Sequence, residues 1–148
     1  MRRAFLWLPP SLYLAVIFYL SSDPDPLPAV SQLVWDKGLH VIAYLVLSVL
    51  FSRALHGEGL AALRVAVFSI LLTSAYGATD ETHQAFVPNR HAGVGGWLAD
   101  TCGAVAGAAL FSRASRLRRP LRHSPPVRSD QRRARAAHAA RPSAPVDR

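Results

Sequence analysis

Ionisable and hydroxyl side chains recur at helical spacing in the first of three short polar motifs. Asp36, His40 and Tyr44 follow one another at intervals of four, so they share one face of a helix that starts near Trp35. The surrounding sequence is strongly apolar, and such groups within apolar segments normally face other protein groups or a wet cavity. The stripe is therefore expected to point into the protein. A helix N-cap for Asp36, and a polar contact between helices for His40 and Tyr44, are alternatives to a ligand-binding or catalytic role.

The second motif is a polar run, residues 79–90, which follows an apolar segment directly. Glu81 and Gln84 are three residues apart and become neighbours on one face if the helix continues outward, until Pro88 stops it. Arg90 then follows in an extended segment. A guanidinium near carboxylates either forms an internal salt bridge or binds a phosphate or carboxylate ligand, because its fork suits both.

The third motif places an aspartate beside a smooth helix face. Small residues occupy every fourth position of the last apolar segment: Gly95, Ala99, Gly103 and Gly107. This small-xxx-small pattern is typical of helices that pack closely in membranes. Asp100 adjoins that face and is expected to lie in the same interior, where Arg90, His40 or Lys37 would neutralise it.

Apolar segments around these motifs supply the scaffold that positions them. Hydrophobic residues make up 51% of the 148-residue chain, and a helix needs roughly 20 apolar residues to cross a bilayer core of about 30 Å. Four segments qualify: residues 4–20, 39–55, 60–78 and 94–111. Backbone groups in hydrocarbon must be paired within the segment, so each is expected to be helical. The sequence predicts an all-α, polytopic membrane protein with a four-helix domain over residues 1–111.

Basic residues indicate the orientation of the bundle. Arg2, Arg3, Arg53, Arg64 and the eleven arginines of residues 113–148 fall on one side, and only Lys37 and Arg90 fall on the other. The positive-inside rule places both termini in the cytoplasm and the three polar motifs at the outer face. Residues 112–148, with eleven arginines and two aspartates, carry more positive charge than the net +8 of the whole chain, and they are expected to form a disordered tail attracted to anionic lipid headgroups. Nucleic acid is not an expected partner.

Since all three motifs fall on one side of the membrane, they predict a single polar site. Its expected members come from three helices and the loop between two of them: Asp36, His40, Tyr44, Glu81, Gln84, Arg90 and Asp100. His40 and Glu81 are the candidates for a general base. His40, Glu81, His83 and Asp100 are ligand types compatible with zinc, but no metal motif of fixed spacing is present, and we expect neither a metal nor a cofactor.

The three motifs together resemble the VanZ-like family of small bacterial membrane proteins. They are Asp36-Lys37-x-x-His40-x-x-x-Tyr44, Asp80-Glu81-x-x-Gln84-x-Phe86-x-Pro88-x-Arg90 and Leu98-Ala99-Asp100-Thr101-x-Gly103-Ala104. The family usually carries an aspartate shortly before the last motif, where this chain has Gly96. The departure leaves one fewer carboxylate near Arg90 and implies an altered site.

The resemblance implies a multi-pass protein of the bacterial cytoplasmic membrane with a role in the cell envelope. The family's founding member is associated with low-level resistance to the glycopeptide teicoplanin. Our leading hypothesis is a binding module whose partners are membrane lipids and a lipid-linked envelope precursor or a glycopeptide. A membrane-embedded hydrolase or transferase acting on a lipid-linked envelope substrate, and a structural or accessory subunit, are the alternatives.

Overall fold

Four long helices make up most of the part of the chain that the structure describes. The computed structural model describes residues 2–24, 36–90 and 92–117. Within these ranges the chain forms no strand, and its helices are α1 (Arg2–Ser21), α2 (Asp36–Gly57), α3 (Ala62–Gln84) and α4 (Val94–Leu117). Each of them is long and apolar enough to cross a membrane. The predicted all-α, four-helix membrane architecture is therefore confirmed.

The helix bounds differ from the apolar segments in α3 and α4. α3 begins at Ala62 rather than at residue 60, because Ala61 has an extended backbone, and it continues to Gln84. α4 continues to Leu117 and takes in residues 112–117, which the sequence pattern assigned to the tail. Hydropathy detects only the part of a helix that lipid surrounds, whereas backbone hydrogen bonding continues into polar residues. Residues 118–148, with their predicted disorder, lie outside the described residues.

α2 and α4 form the closest helix pair. A Cβ atom at Gly103 would overlap the backbone carbonyl of Val41, and one at Gly107 would overlap that of Leu45. The Ser48 hydroxyl donates to the Ala104 carbonyl across the same contact at 2.7 Å. The predicted role of the small residues in close packing is thereby confirmed for these two glycines.

The distribution of polar and apolar side chains is the one that a lipid environment favours. Large apolar side chains lie on the outside of every helix, among them Phe5, Ile42, Leu63 and Leu110. Small hydroxyl residues are buried between the helices: Ser48, Ser52, Ser69 and Thr73. Lipid tails are as apolar as leucine, so helices in a bilayer gain by burying small and polar groups. Which end of the bundle faces the cytoplasm stays a prediction.

Candidate functional site

The alternating chain direction brings four helix ends together at one end of the bundle, which we call the site end. It is formed by the C-terminal ends of α1 and α3 and the N-terminal ends of α2 and α4. Ser22, just after α1, is hydrogen-bonded to the imidazole of His83 at 3.0 Å, and Phe18 packs against the same ring. The three polar motifs all lie at the site end, as their order in the sequence requires.

A histidine and two carboxylates from three different helices meet at the site end. His40 Nδ1 of α2 lies 2.9 Å from Asp100 Oδ1 of α4 and 3.9 Å from Glu81 Oε1 of α3. Asp100 has no exposed surface, and the side chains of His40 and Glu81 are 12% and 9% exposed. We call these three residues the His–carboxylate triad.

A second hydrogen-bonded group adjoins the triad. The Tyr44 hydroxyl donates to Asp80 Oδ2 at 3.1 Å, and the Gln84 amide donates to the same oxygen at 2.8 Å. All three side chains are buried, and the Tyr44 ring is parallel to that of His40. The triad and this group together are called the polar cluster below. Its members are His40, Tyr44, Asp80, Glu81, Gln84 and Asp100.

Two glycines leave the space that the carboxylates of Asp100 and Glu81 occupy. A Cβ atom at Gly77 would approach the Asp100 carboxylate to 2.9 Å, and one at Gly96 would overlap Glu81 Oε1. The other Glu81 oxygen accepts the backbone N–H of Gly93 at 2.6 Å. Gly96, the position where the related family usually has an aspartate, is therefore where the Glu81 side chain packs against α4.

Arg90 takes part in the site through α1 rather than through a carboxylate. Asn89 has φ +63°, a left-handed conformation that asparagine tolerates better than most residues. In the turn that it makes, Arg90 Nη2 donates to the Leu20 carbonyl at 3.0 Å. Arg90 Nε is buried and has no hydrogen-bond partner in the described part of the chain. Among the described residues Arg90 forms no ion pair, so the internal salt bridge expected as one alternative is not formed there.

A groove of about 270 Å³ opens beside the polar cluster, between α1 and α2. Its apolar wall includes Tyr13, Ile17 and Leu20 of α1. Its polar side is formed by members of the cluster and by the arginine, namely His40, Tyr44, Asp80, Gln84 and Arg90. The groove therefore presents hydrocarbon, hydrogen-bonding groups and a guanidinium to the same occupant.

Five of the seven residues predicted for a single site lie in the polar cluster, namely His40, Tyr44, Glu81, Gln84 and Asp100. Arg90 lines the same groove. Asp36 is the first residue of α2, and its side chain lies outside the described residues. His83, the fourth residue of zinc-compatible type, contacts Ser22 and Phe18 instead of the triad.

Asp80 is the member of the cluster that the sequence interpretation left out of the site. It accepts both hydrogen bonds of the second group, and its Oδ1 is buried without a hydrogen-bond partner among the described residues. The spacing of four residues between Asp80 and Gln84 could have indicated this role, because it puts both side chains on one helix face.

The geometry permits two kinds of chemistry. An imidazole held by a buried aspartate is an arrangement in which the carboxylate orients a general base. A polar cluster next to an apolar groove is equally an arrangement for binding an amphipathic molecule.

Comparison with known proteins gives the family of the chain. A family model described as VanZ/LLP1 matches residues 7–116. No curated protein and no solved structure matches the chain.

Proposed function

The chain belongs to the VanZ/LLP1 family, and from this premise we propose that it binds an amphipathic cell-envelope ligand in the groove at the site end. The ligand class is an anionic or polar headgroup carried on a long apolar chain, as in a lipid-linked wall precursor or an acylated glycopeptide. The four apolar helices make the chain a multi-pass membrane protein. We further propose the bacterial cytoplasmic membrane as its location, with the site end facing outward.

The observation that carries this proposal is the composition of the groove. Its lining combines apolar side chains, with Ile17 and Leu20 among them, and polar side chains that include Gln84 and Arg90. A purely apolar molecule would leave the buried polar groups of the groove without partners, at a cost of about 1–3 kcal/mol for each group. A small polar molecule would leave the apolar wall unfilled. An amphipathic occupant satisfies both sides.

Arg90 favours a ligand with an anionic headgroup. Its Nη2 is held by the Leu20 carbonyl, which fixes the guanidinium, while its Nε has no hydrogen-bond partner among the described residues. A guanidinium presents donors in a rigid fork that matches phosphate and carboxylate oxygens. An oxygen anion in the groove would satisfy the donor that the protein leaves unpaired.

A direct binding experiment tests the proposal. The full chain in lipid nanodiscs is titrated with teicoplanin, with its core lacking the acyl chain, and with a polyprenyl pyrophosphate. We expect binding of at least one amphipathic probe and no binding of the core alone. Arg90→Gln and Ile17→Trp, which remove the fork and fill the groove, should each weaken binding at least about tenfold, a difference of about 1.4 kcal/mol.

Arg64→Gln is the matched control, because Arg64 is exposed and lies in the first turn of α3, at the opposite end of the bundle. It should bind as the parent does. The proposal fails if neither amphipathic probe binds, or if Arg90→Gln and Ile17→Trp bind like the control while remaining folded.

A cellular experiment addresses the link to antibiotic tolerance. Expression in a teicoplanin-sensitive host should raise tolerance, and Arg90→Ala and Glu81→Ala should abolish the gain at equal protein level in the membrane. If the parent gives no protection, or if both variants protect as well as the parent, the role in glycopeptide tolerance is rejected. The binding titration then decides independently whether the groove takes a lipid-linked precursor.

The contact of 2.9 Å between His40 and Asp100 favours a second candidate function. In a hydrolase or transferase on a lipid-linked envelope substrate, His40 would act as general base, Asp100 would orient it, and Arg90 would stabilise developing negative charge. Incubation of purified protein with lipid-linked substrates, with and without divalent cations, tests this candidate. Unchanged lipids under all conditions would reject it, and loss of turnover in His40→Gln with retained binding would support it.

A further inference from the structure

The polar cluster concentrates negative charge inside the bundle. It contains three buried carboxyl groups, those of Asp80, Glu81 and Asp100, and a single imidazole. The Arg90 guanidinium, which lines the adjoining groove, donates to the Leu20 carbonyl. With His40 protonated, the six residues of the cluster still carry a formal excess of two negative charges. Buried carboxyl groups are stable when they are protonated or when neighbouring groups or ions neutralise their charge, and a bound cation would provide that neutralisation here.

We propose that the His–carboxylate triad binds a divalent transition-metal cation, zinc or manganese, through His40, Glu81 and Asp100. This inference goes beyond the envelope ligand and does not depend on which ligand enters the groove. The sequence offered no metal motif because the three ligands come from three helices and have no fixed spacing.

The distances in the triad suit such a cation. One nitrogen or oxygen of each of the three residues lies within 4.8 Å of those of the other two, and the distances from His40 Nδ1 are 2.9 Å and 3.9 Å. Bonds of about 2.1 Å to a tetrahedral cation separate its ligand atoms by roughly 3.4 Å. The two distances from His40 Nδ1 bracket this value, so each of these two pairs differs from the ideal separation by about half an ångström.

The surroundings of Glu81 orient it as a ligand. Its Oε2 accepts the Gly93 N–H at 2.6 Å, which leaves Oε1 directed to the imidazole of His40. A ligand carboxylate whose second oxygen is held by a neighbouring donor is characteristic of protein metal sites, where such outer contacts fix ligand geometry. Gly96 makes this possible, because a Cβ at that position would overlap the carboxylate.

The ligand types select the class of cation. One imidazole nitrogen and two carboxylate oxygens suit zinc and manganese better than magnesium, which prefers oxygen ligands alone and retains much of its water. Three protein ligands leave a position for water or for an oxygen of a bound molecule. His40 also lines the groove, so this position would be reached from there.

Metal binding is tested on the full chain in nanodiscs, with any affinity tag removed. The protein is stripped with a chelator and titrated separately with Zn²⁺, Mn²⁺ and Mg²⁺, and bound metal is counted by mass spectrometry. We expect one Zn²⁺ or Mn²⁺ in the triad. Glu81→Gln, Asp100→Asn and His40→Gln should each weaken this binding more than about 100-fold, beyond the loss typical of an outer-shell contact.

His83→Gln is the matched control, because His83 lies at the same end of the bundle but contacts Ser22 and Phe18. It should bind the cation as the parent does. Glu81→Gln retains an oxygen that can accept the Gly93 N–H, so its melting temperature shows whether a loss of binding reflects unfolding.

Three outcomes would overturn the proposal. They are the absence of stoichiometric Zn²⁺ or Mn²⁺ in the parent, binding in folded Glu81→Gln equal to that of the parent, and binding lost in His83→Gln but retained in the triad variants. If no triad variant folds, pulsed electron paramagnetic resonance of Mn²⁺ bound to the parent decides. One coordinated imidazole nitrogen supports the site, and none rejects it.

Discussion

Two neighbouring regions of the α2–α4 contact differ in what holds the helices together. At Gly103 and Gly107 the helix backbones meet directly, with the carbonyls of Val41 and Leu45 in the space where side chains would be. About one turn towards the site end, the helices are joined through the side chains of His40 and Asp100. We call the first region the glycine contact; the second belongs to the polar cluster.

The difference shows that the two regions of this helix pair have different structural roles. The glycine contact fixes the distance and register of α2 and α4, because backbone atoms cannot move without moving the whole helix. The polar cluster depends on that register, since Asp100 precedes Gly103 by three residues and His40 directly precedes Val41. Damage to the glycine contact should therefore reach the cluster, whereas damage to the cluster should leave the glycine contact intact.

The largest effect is expected from Gly103→Ile. Its side chain would collide with the Val41 backbone and force the helices apart, at a cost of about 3 kcal/mol or more in the free energy of unfolding. Unfolding by detergent titration measures the loss. Gly93→Ala is the control, because a Cβ there meets no atom within 4 Å. Parent-like stability of Gly103→Ile would contradict the proposed role of the glycine contact.

A smaller loss is expected when the cluster alone is broken. Asp100→Ala removes the acceptor 2.9 Å from His40 Nδ1 and should cost about 2 kcal/mol, the usual range for a buried hydrogen bond to a charged group. Asp100→Asn retains an acceptor of the same shape and should cost less. Equal losses in the two variants would show that the negative charge of Asp100, rather than its shape or its acceptor oxygen, determines the effect.

Gly96→Ala tests whether a side chain at position 96 and the Glu81 carboxylate compete for the same space. The new methyl group would overlap Glu81 Oε1, and the displaced carboxylate should cost about 1–2 kcal/mol of unfolding free energy. Glu81→Ala removes the obstacle, so the double variant should be more stable than the sum of the single losses predicts. Strict additivity in this double-mutant cycle would show that the two residues do not compete for space.

The smallest effect is expected at the opposite end of the bundle. Arg3 contacts Glu58 at 3.2 Å, but its side chain is 86% exposed. Exposed ion pairs contribute little, so Arg3→Ala should change the free energy of unfolding by no more than about 0.5 kcal/mol. The same detergent titration provides the measurement. A loss comparable to that of Asp100→Ala would mean that the two ends do not differ as proposed.

Much of the fold could be predicted from the sequence because its signals are local. Apolar segments of membrane length require helices wherever they occur, and four of them in succession bring the three polar motifs to one end. The spacing of Gly103 and Gly107 also predicted close packing correctly. The predicted C-terminal ends of α3 and α4 were less accurate, because both helices continue into polar residues that hydropathy does not count.

The partners of individual side chains were decided by the tertiary structure. His40 and Asp100 are 60 residues apart, and their contact depends on how far α2 and α4 are rotated and how closely they cross. The same packing directs Arg90 to a carbonyl of α1 and directs His83 away from the triad. It also makes Asp80 the acceptor for Tyr44. Residue type and spacing determine which helix face a group occupies, but only helix packing determines what that face meets.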